Sequence, residues 1–346
     1  MQGWMIALIV VAGVIAFLAA AFLISALYFV HSILGRRKPV KPFKGTDEEL
    51  EAYHKKITDA YGVDFVWLDN FDGKLGSAKI TAYDGVKLNA TVYAHEQKSD
   101  RVAICCHGYT ATGRSVQPQI QMFYERGFDV YAVDMRGHGL SEGKVGMAWV
   151  DRFDLLRWID KVIYDYGNSV SIALFGVSMG GATVIAASGM NPPSQVKCVV
   201  DDCGFNSQYH EYAACVSKKY RGNGSGEPSR GVRLLLLPLS VGVKLVHGYS
   251  IYDADIGALA KNATLPALFF HGESDDFVPF ALGKKLYESY GASDKLFIHV
   301  KDAGHAAAYA VDRDGYKQAF TEFIDRHIPP IAAPSEKPAE QEKTAE

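Results

Sequence analysis

The sequence carries no H-E-x-x-H, no phosphate-cradling G-x-x-x-x-G-K-[ST] loop, and no G-x-G-x-x-G between a strand and a helix. Zinc-protease, nucleotide and dinucleotide chemistry therefore have no positive signal in the residues. Cysteine is sparse. The five cysteines follow no short metal-binding spacing, so no metal and no cofactor is expected. Cys105 and Cys106 are adjacent in an apolar run and read as small buried hydrophobes. The spacing leaves a Cys203–Cys215 disulfide open. Charge is balanced too, with 36 Lys and Arg against 39 Asp and Glu. Without an extended basic face there is no electrostatic footprint for nucleic acid.

A long uncharged run is what the chain does have. WMIALIVVAGVIAFLAAAFLISALYFV, Trp4 to Val30, has no charged residue. At roughly 1.5 Å per residue it is long enough to cross a hydrocarbon core of about 30 Å. Trp4 and Tyr28 stand near its ends, where amphipathic rings favour the interface. A cleaved signal peptide would have a basic n-region and a shorter apolar core. Residues 1–34 are therefore expected to be a retained, single-pass membrane anchor. Arg36, Arg37, Lys38, Lys41 and Lys44 follow the span, and nothing basic precedes it. The positive-inside rule then puts the large domain on the cytoplasmic side of the cell membrane.

Residues 35–60 are expected to form a basic linker and a short helix, TDEELEAYHKKITDAY, with Thr46 as its N-cap. Residues 331–346 are poor in hydrophobics and rich in Ala, Pro, Glu and Lys, the composition of a disordered tail. Between them, 61–330 alternates strand and helix patterns. Ser77–Tyr83 and Lys87–Ala94 flank Asp84-Gly85, a hairpin signal. Apolar runs of buried-strand type follow at Val102–Cys106, Val130–Met135, Val170–Phe175, Val196–Val200, Ala267–Phe270 and Leu296–Val300. Helical stretches include Val150–Tyr166, Gly180–Ser188, Phe280–Tyr290 and Asp314–His327. The expected class is α/β, a mostly parallel doubly wound sheet with ligands at the carboxyl ends of its strands.

Gly-x-Ser-x-Gly occurs twice, around Ser141 and around Ser178, so setting must choose. Ser178 closely follows the strand Val170–Phe175 and precedes a helical pattern. Gly176 and Gly180 let strand and helix approach closely there. The N–H of Met179, at the helix start, can donate to a developing oxyanion. Ser141 is separated from its strand by Arg136-Gly137-His138-Gly139, and no helix follows at once. It reads as a loop residue. A serine nucleophile needs a base and an orienting acid. HGESDDFVP follows one strand and Ala303-Gly304-His305 the next, giving the chain order Ser178, Asp275, His305. Asp276 is the adjacent competitor for the acid, and Asp201 and Asp202 end another strand. His107 and His138 read as loop-shaping side chains, Arg136 as a tie to nearby carbonyls or carboxylates, His299 as a packed or edge residue, and His327 as a surface residue.

CHGYT at 106–110, DMRGHGxS at 134–141, GVSMGG, HGESDDFVP and AGHAAAY together resemble the α/β-hydrolase superfamily, over roughly residues 75–328. The nearest likeness is to bacterial membrane-anchored hydrolases of the serine aminopeptidase-like and acylglycerol lipase-like branch. That resemblance implies Asp275 as the acid and the N–H of Tyr109 as the second oxyanion donor, beside Met179. It also implies acyl transfer to water. The serine argues against the aspartate-dependent epoxide hydrolases and haloalkane dehalogenases of the same fold.

Specificity is expected in a small, mainly helical cap at about 204–265, which holds the apolar run Val232–Val246 interrupted by Pro238. An ordinary crossover with a long loop is the alternative. The expected substrate is a small or lipid-like acyl compound, cleaved at a carboxylic ester. Amide or peptide hydrolysis is the second reading, and a catalytically silent tethered binding module the third. The residues do not specify an oligomeric state.

Overall fold

Six apolar runs become consecutive strands: β3 (Arg101–Cys106), β4 (Asp129–Asp134), β5 (Ser171–Val177), β6 (Val196–Asp202), β7 (Ala267–Gly272) and β8 (Lys295–Val300). β3 and β7 are buried at every residue. Such strands lose the in-out alternation of a half-solvated sheet because helices cover both faces. The computed structural model describes residues 3–36, 46–217 and 227–330. The linker at 37–45, the stretch 218–226 and the tail at 331–346 lie outside these residues.

The hairpin strands are β1 (Lys74–Thr81) and β2 (Lys87–Ala94). β1 ends two residues earlier than its alternation suggests. Ala82 donates its N–H to Val86 (2.8 Å) and accepts from Gly85 (3.0 Å), so Tyr83 belongs to the turn. The sheet order is β1-β2-β4-β3-β5-β6-β7-β8. β2 meets β4 antiparallel, and β4, β3, β5, β6, β7 and β8 run parallel. The strand order therefore reverses at β3, which lies between β4 and β5. In open α/β sheets such a reversal marks where a ligand site is expected, at the carboxyl ends of the strands.

In chain order the helices are α1 (Gly3–Leu34), α2 (Asp47–Tyr61), α3 (Phe65–Asp69), α4 (Gln117–Glu125), α5 (Asp151–Tyr166), α6 (Met179–Ser188), α7 (Gln208–Val216), α8 (Arg230–Leu235), α9 (Leu237–His247), α10 (Ile256–Ala260), α11 (Phe280–Ser289), α12 (Ala308–Val311) and α13 (Arg313–His327). α2 starts on the expected capping box: Glu49 N–H donates to Thr46 Oγ1 (3.3 Å) and Thr46 N–H to Glu49 Oε2 (2.8 Å). One sheet face is covered through Trp158, Ile159, Ile185, Leu282 and Leu286 of α5, α6 and α11. The other is covered by α4 and α13, where Phe123 and Phe320 meet Phe175 edge-on. α4 was not anticipated, although Pro118 in its first turn is a start signal.

Between β6 and β7 the chain forms α7 to α10. The apolar run is interrupted at Pro238, as expected: α8 ends at Leu235 and α9 begins at Leu237. The proline occupies the first turn of α9, where its missing N–H costs no hydrogen bond. α1 is a 32-residue helix, long and apolar enough to cross a membrane. It is exposed over most of its length, but Ala26, Val30 and Leu34 are buried.

Candidate active site

β5 passes into α6 through Ser178, whose φ of 56° and ψ of −114° lie in a region that non-glycine residues seldom occupy. The neighbours make this bend feasible. A Cβ on Gly176 would strike the Gly180 carbonyl, and one on Gly180 would strike that of Cys106. The serine N–H donates to the Asp202 carbonyl (2.7 Å), pinning the bend to the end of β6. A hydroxyl is thereby raised at the strand end, with the helix amino terminus beginning at Met179.

Two other strand ends supply its partners. His305 Nε2 lies 2.9 Å from Ser178 Oγ, and His305 Nδ1 lies 2.8 Å from Asp275 Oδ2. Asp275 Oδ1 accepts the N–H groups of Phe277 (2.9 Å) and Val278 (2.8 Å). The carboxylate is thus fixed by one oxygen and presents the other to the imidazole. Its side chain has no solvent exposure, against 24% for His305. A proton on Nδ1 directed at Asp275 leaves the Nε2 lone pair facing the serine hydroxyl.

The competing acids do not face the His305 ring nitrogens with a hydrogen bond. Asp276 is exposed. Asp201 Oδ1 accepts from Gly204 N–H (3.0 Å), and Asp202 Oδ2 accepts from the Tyr316 hydroxyl (2.9 Å). Burial pushes the Asp202 carboxyl up to about 6, while that Tyr316 hydrogen bond opposes the rise.

The loop after β3 lies against the serine. A Cβ on Gly108 would sit 3.4 Å from Ser178 Cβ, so Tyr109 follows the point of closest approach. Two histidines shape this loop. His107 Nε2 accepts Met135 N–H (3.0 Å) and its Nδ1 is 2.6 Å from the Gly108 carbonyl. Burial lowers its pKa to about 4, so it stays neutral in both contacts. His138 Nε2 accepts Thr110 N–H (3.1 Å).

Ser141 is a strut. It donates to the Asp134 carbonyl (2.5 Å) and accepts Asn89 N–H (2.9 Å). Arg136 is buried and binds Asp154 through two nitrogens (2.6 and 2.7 Å) and Asp84 through a third (2.8 Å). His299 is an exposed edge-strand residue 2.5 Å from Glu273. His327 is not the surface side chain expected: it is 12% exposed and 3.5 Å from Asp294. None of the five cysteines is in a disulfide, so no Cys203–Cys215 bridge forms.

Sequence reasoning missed two neighbours of the site. The Phe277 ring lies 4.9 Å from that of His305, and its place two residues after Asp275 was the only hint. Cys203, held at a φ of 53°, brings its sulfur within 4.8 Å of ligand atoms of Asp275 and His305. Burial and the surrounding carboxylates raise its thiol pKa, which disfavours the thiolate a metal would need. A cation there would also have to break the Asp275–His305 hydrogen bond.

Comparisons with known proteins agree with this architecture. Residues 97–205 match the family described as Serine aminopeptidase, S33. The uncharacterized protein YqkD of Bacillus subtilis is 27% identical over 224 residues, covering 64% of this chain and 70% of that protein. A monoacylglycerol lipase of Mycolicibacterium smegmatis is 25% identical over 246 residues, covering 63% and 84%. Among solved structures, the Pyrococcus furiosus esterase Pf2001 superposes with a TM-score of 0.59 at 21% identity, covering 77% of this chain and 96% of that one.

Proposed function

For a chain of the α/β-hydrolase superfamily, similar to its serine aminopeptidase-like and acylglycerol lipase-like branch, we propose that the protein is a membrane-tethered serine hydrolase cleaving carboxylic esters. The observation that carries the reading is the continuous line of hydrogen bonds from Asp275 through His305 to Ser178.

In this mechanism His305 Nε2 takes the Ser178 proton as Oγ attacks the ester carbonyl. The N–H groups of Tyr109 and Met179 receive the oxyanion, each contributing about 3–4 kcal/mol when well placed. Asp275 stabilises the imidazolium. Collapse expels the alcohol, which takes its proton from His305 and leaves an acyl-serine. A water activated by the same imidazole then releases the acid and restores the hydroxyl. Helices α7 to α9 would act as the cap, and the apolar residues of α8 and α9 would suit an acyl chain. α1 would tether the domain, and the basic residues that follow it favour the cytoplasmic side.

The family match to serine aminopeptidases favours a second reading, amide hydrolysis by the same residues. The primary test is a fluorophosphonate probe on the detergent-solubilised full-length protein. Wild type should label and Ser178→Ala should not. An unlabelled wild type, or a labelled Ser178→Ala, refutes the nucleophile. Chain-length series of p-nitrophenyl esters against aminoacyl-nitroanilides then separate the two readings. Preference for the anilides would reverse the ester assignment.

A further inference from the structure

The apolar helix at the amino terminus is longer than a membrane requires. Its 32 residues span about 48 Å, whereas a hydrocarbon core of about 30 Å takes about twenty. The surplus lies at its carboxyl end, where Ala26, Val30 and Leu34 are buried at four-residue intervals and Ile33 is partly buried. Those intervals put them on one helical face. That face packs on α9, where Gly242 provides the notch: a Cβ there would strike Val30 Cγ2 and the Ala26 carbonyl. Val30 and Leu34 join the main core along with Leu239 and Val243 of α9 and Met135 and Val145 of the loop after β4.

A helix also ends with carbonyls that have no partner within it. Here the hydrolase body supplies two. The Tyr109 hydroxyl donates to the Ile33 carbonyl (2.7 Å), and Val145 N–H donates to that of Leu34 (2.9 Å). Tyr109 belongs to the loop pressed against Ser178. Val145 belongs to the segment after β4, whose His138 accepts Thr110 N–H (3.1 Å). The last turn of α1 thus holds the oxyanion loop directly, and meets the segment that braces it.

We infer that the carboxyl-terminal turn of α1 is a positioning element of the active site: the Tyr109 hydroxyl, held on the Ile33 carbonyl, fixes the Tyr109 backbone N–H opposite Ser178. The anchor is then part of the catalytic apparatus as well as a tether, and full turnover requires it to be seated on α9. This rests on the oxyanion role given to Tyr109 above. An error of about 1 Å in a donor's place can cost up to about a hundredfold in rate. Loss of one hydrogen bond that steadies the loop should cost about tenfold.

The experiment uses the full-length protein in lipid nanodiscs with a short, soluble p-nitrophenyl ester. Tyr109→Phe removes the hydroxyl and keeps the ring and the backbone N–H. Gly242→Leu wedges α1 away from α9 without touching the loop. Each should lower kcat about tenfold and leave KM within about twofold. The pH profile of kcat/KM should not move, since Asp275 and His305 are untouched. Because both changes act through one contact, the double variant should be no slower than the slower single. Wild-type kcat in Tyr109→Phe, a rise in KM alone, or losses that multiply in the double variant would each overturn the inference. If Gly242→Leu does not fold, Tyr109→Phe still decides. A wild type that neither hydrolyses esters nor takes a fluorophosphonate at Ser178 refutes the hydrolase reading itself. Labelled and active protein with an unaffected Tyr109→Phe refutes only the positioning role.

Discussion

Replacing Asp275 by asparagine isolates the acid from the scaffold that holds it. One carboxylate oxygen accepts N–H groups from Phe277 and Val278, and the other faces His305 Nδ1 at 2.8 Å. Two donors can be satisfied only by the amide oxygen of asparagine, so they fix its orientation. The amide nitrogen must then take the place of Oδ2 and donate towards His305. Nδ1 becomes the acceptor, the ring proton moves to Nε2, and Nε2 meets Ser178 Oγ as a donor. The base is lost although every heavy atom keeps its place. A wrong-tautomer defect of this kind costs about 10⁴ in kcat at neutral pH, or about 5.5 kcal/mol. Thermal unfolding should change little, because the two scaffold hydrogen bonds survive. Steady-state hydrolysis of a p-nitrophenyl ester, with unfolding midpoints as control, reads both quantities. A kcat within about tenfold of wild type would show that Asp275 does not orient the histidine, and attention would pass to Asp202.

Two further predictions concern the shell around the site. Arg136→Met should destabilise the protein by about 3–5 kcal/mol in denaturant titrations, since it strands the buried Asp154 carboxylate. Adding Asp154→Leu should recover part of that loss, and no recovery would refute the ion-pair account. Asp151 is buried beside Asp154, and burial raises its pKa to about 7 from an ordinary 3.8. The folded state holds this proton more tightly than the unfolded chain, so stability should fall as pH rises from about 4 to about 7. Asp151→Asn should flatten that slope and leave the variant the more stable protein at pH 8; an unchanged slope refutes it.

Most of the sheet was legible because its strands are buried on both faces. Val102–Cys106 and Ala267–Phe270 leave no solvent-facing residue to interrupt the apolar pattern, and each boundary moved by no more than two residues. The chain order of Ser178, Asp275 and His305 was legible for a related reason: each follows a strand, and parallel strands deliver their ends to one edge. What lay hidden depends on contacts between segments remote in sequence. The docked face of α1 leaves no periodic trace, since the helix is apolar on every side and lipid and protein ask for the same residues. Nor could spacing alone separate Asp275 from Asp276. The two backbone donors that select Asp275 appear only when the turn closes. Cys203 beside Asp275 and His305 was invisible because only the folded sheet brings the end of β6 next to the turns after β7 and β8.

Under the proposed membrane tethering, the seating of α1 on α9 would make the amino-terminal helix a post and not a leash. A hydrolase on a flexible tether samples many heights and tilts above its bilayer. With Ala26, Val30 and Leu34 locked into the body, this one would stand at a single height, and its candidate site would keep one bearing towards the lipid plane. Whatever it cleaves would then have to present its scissile bond at that level.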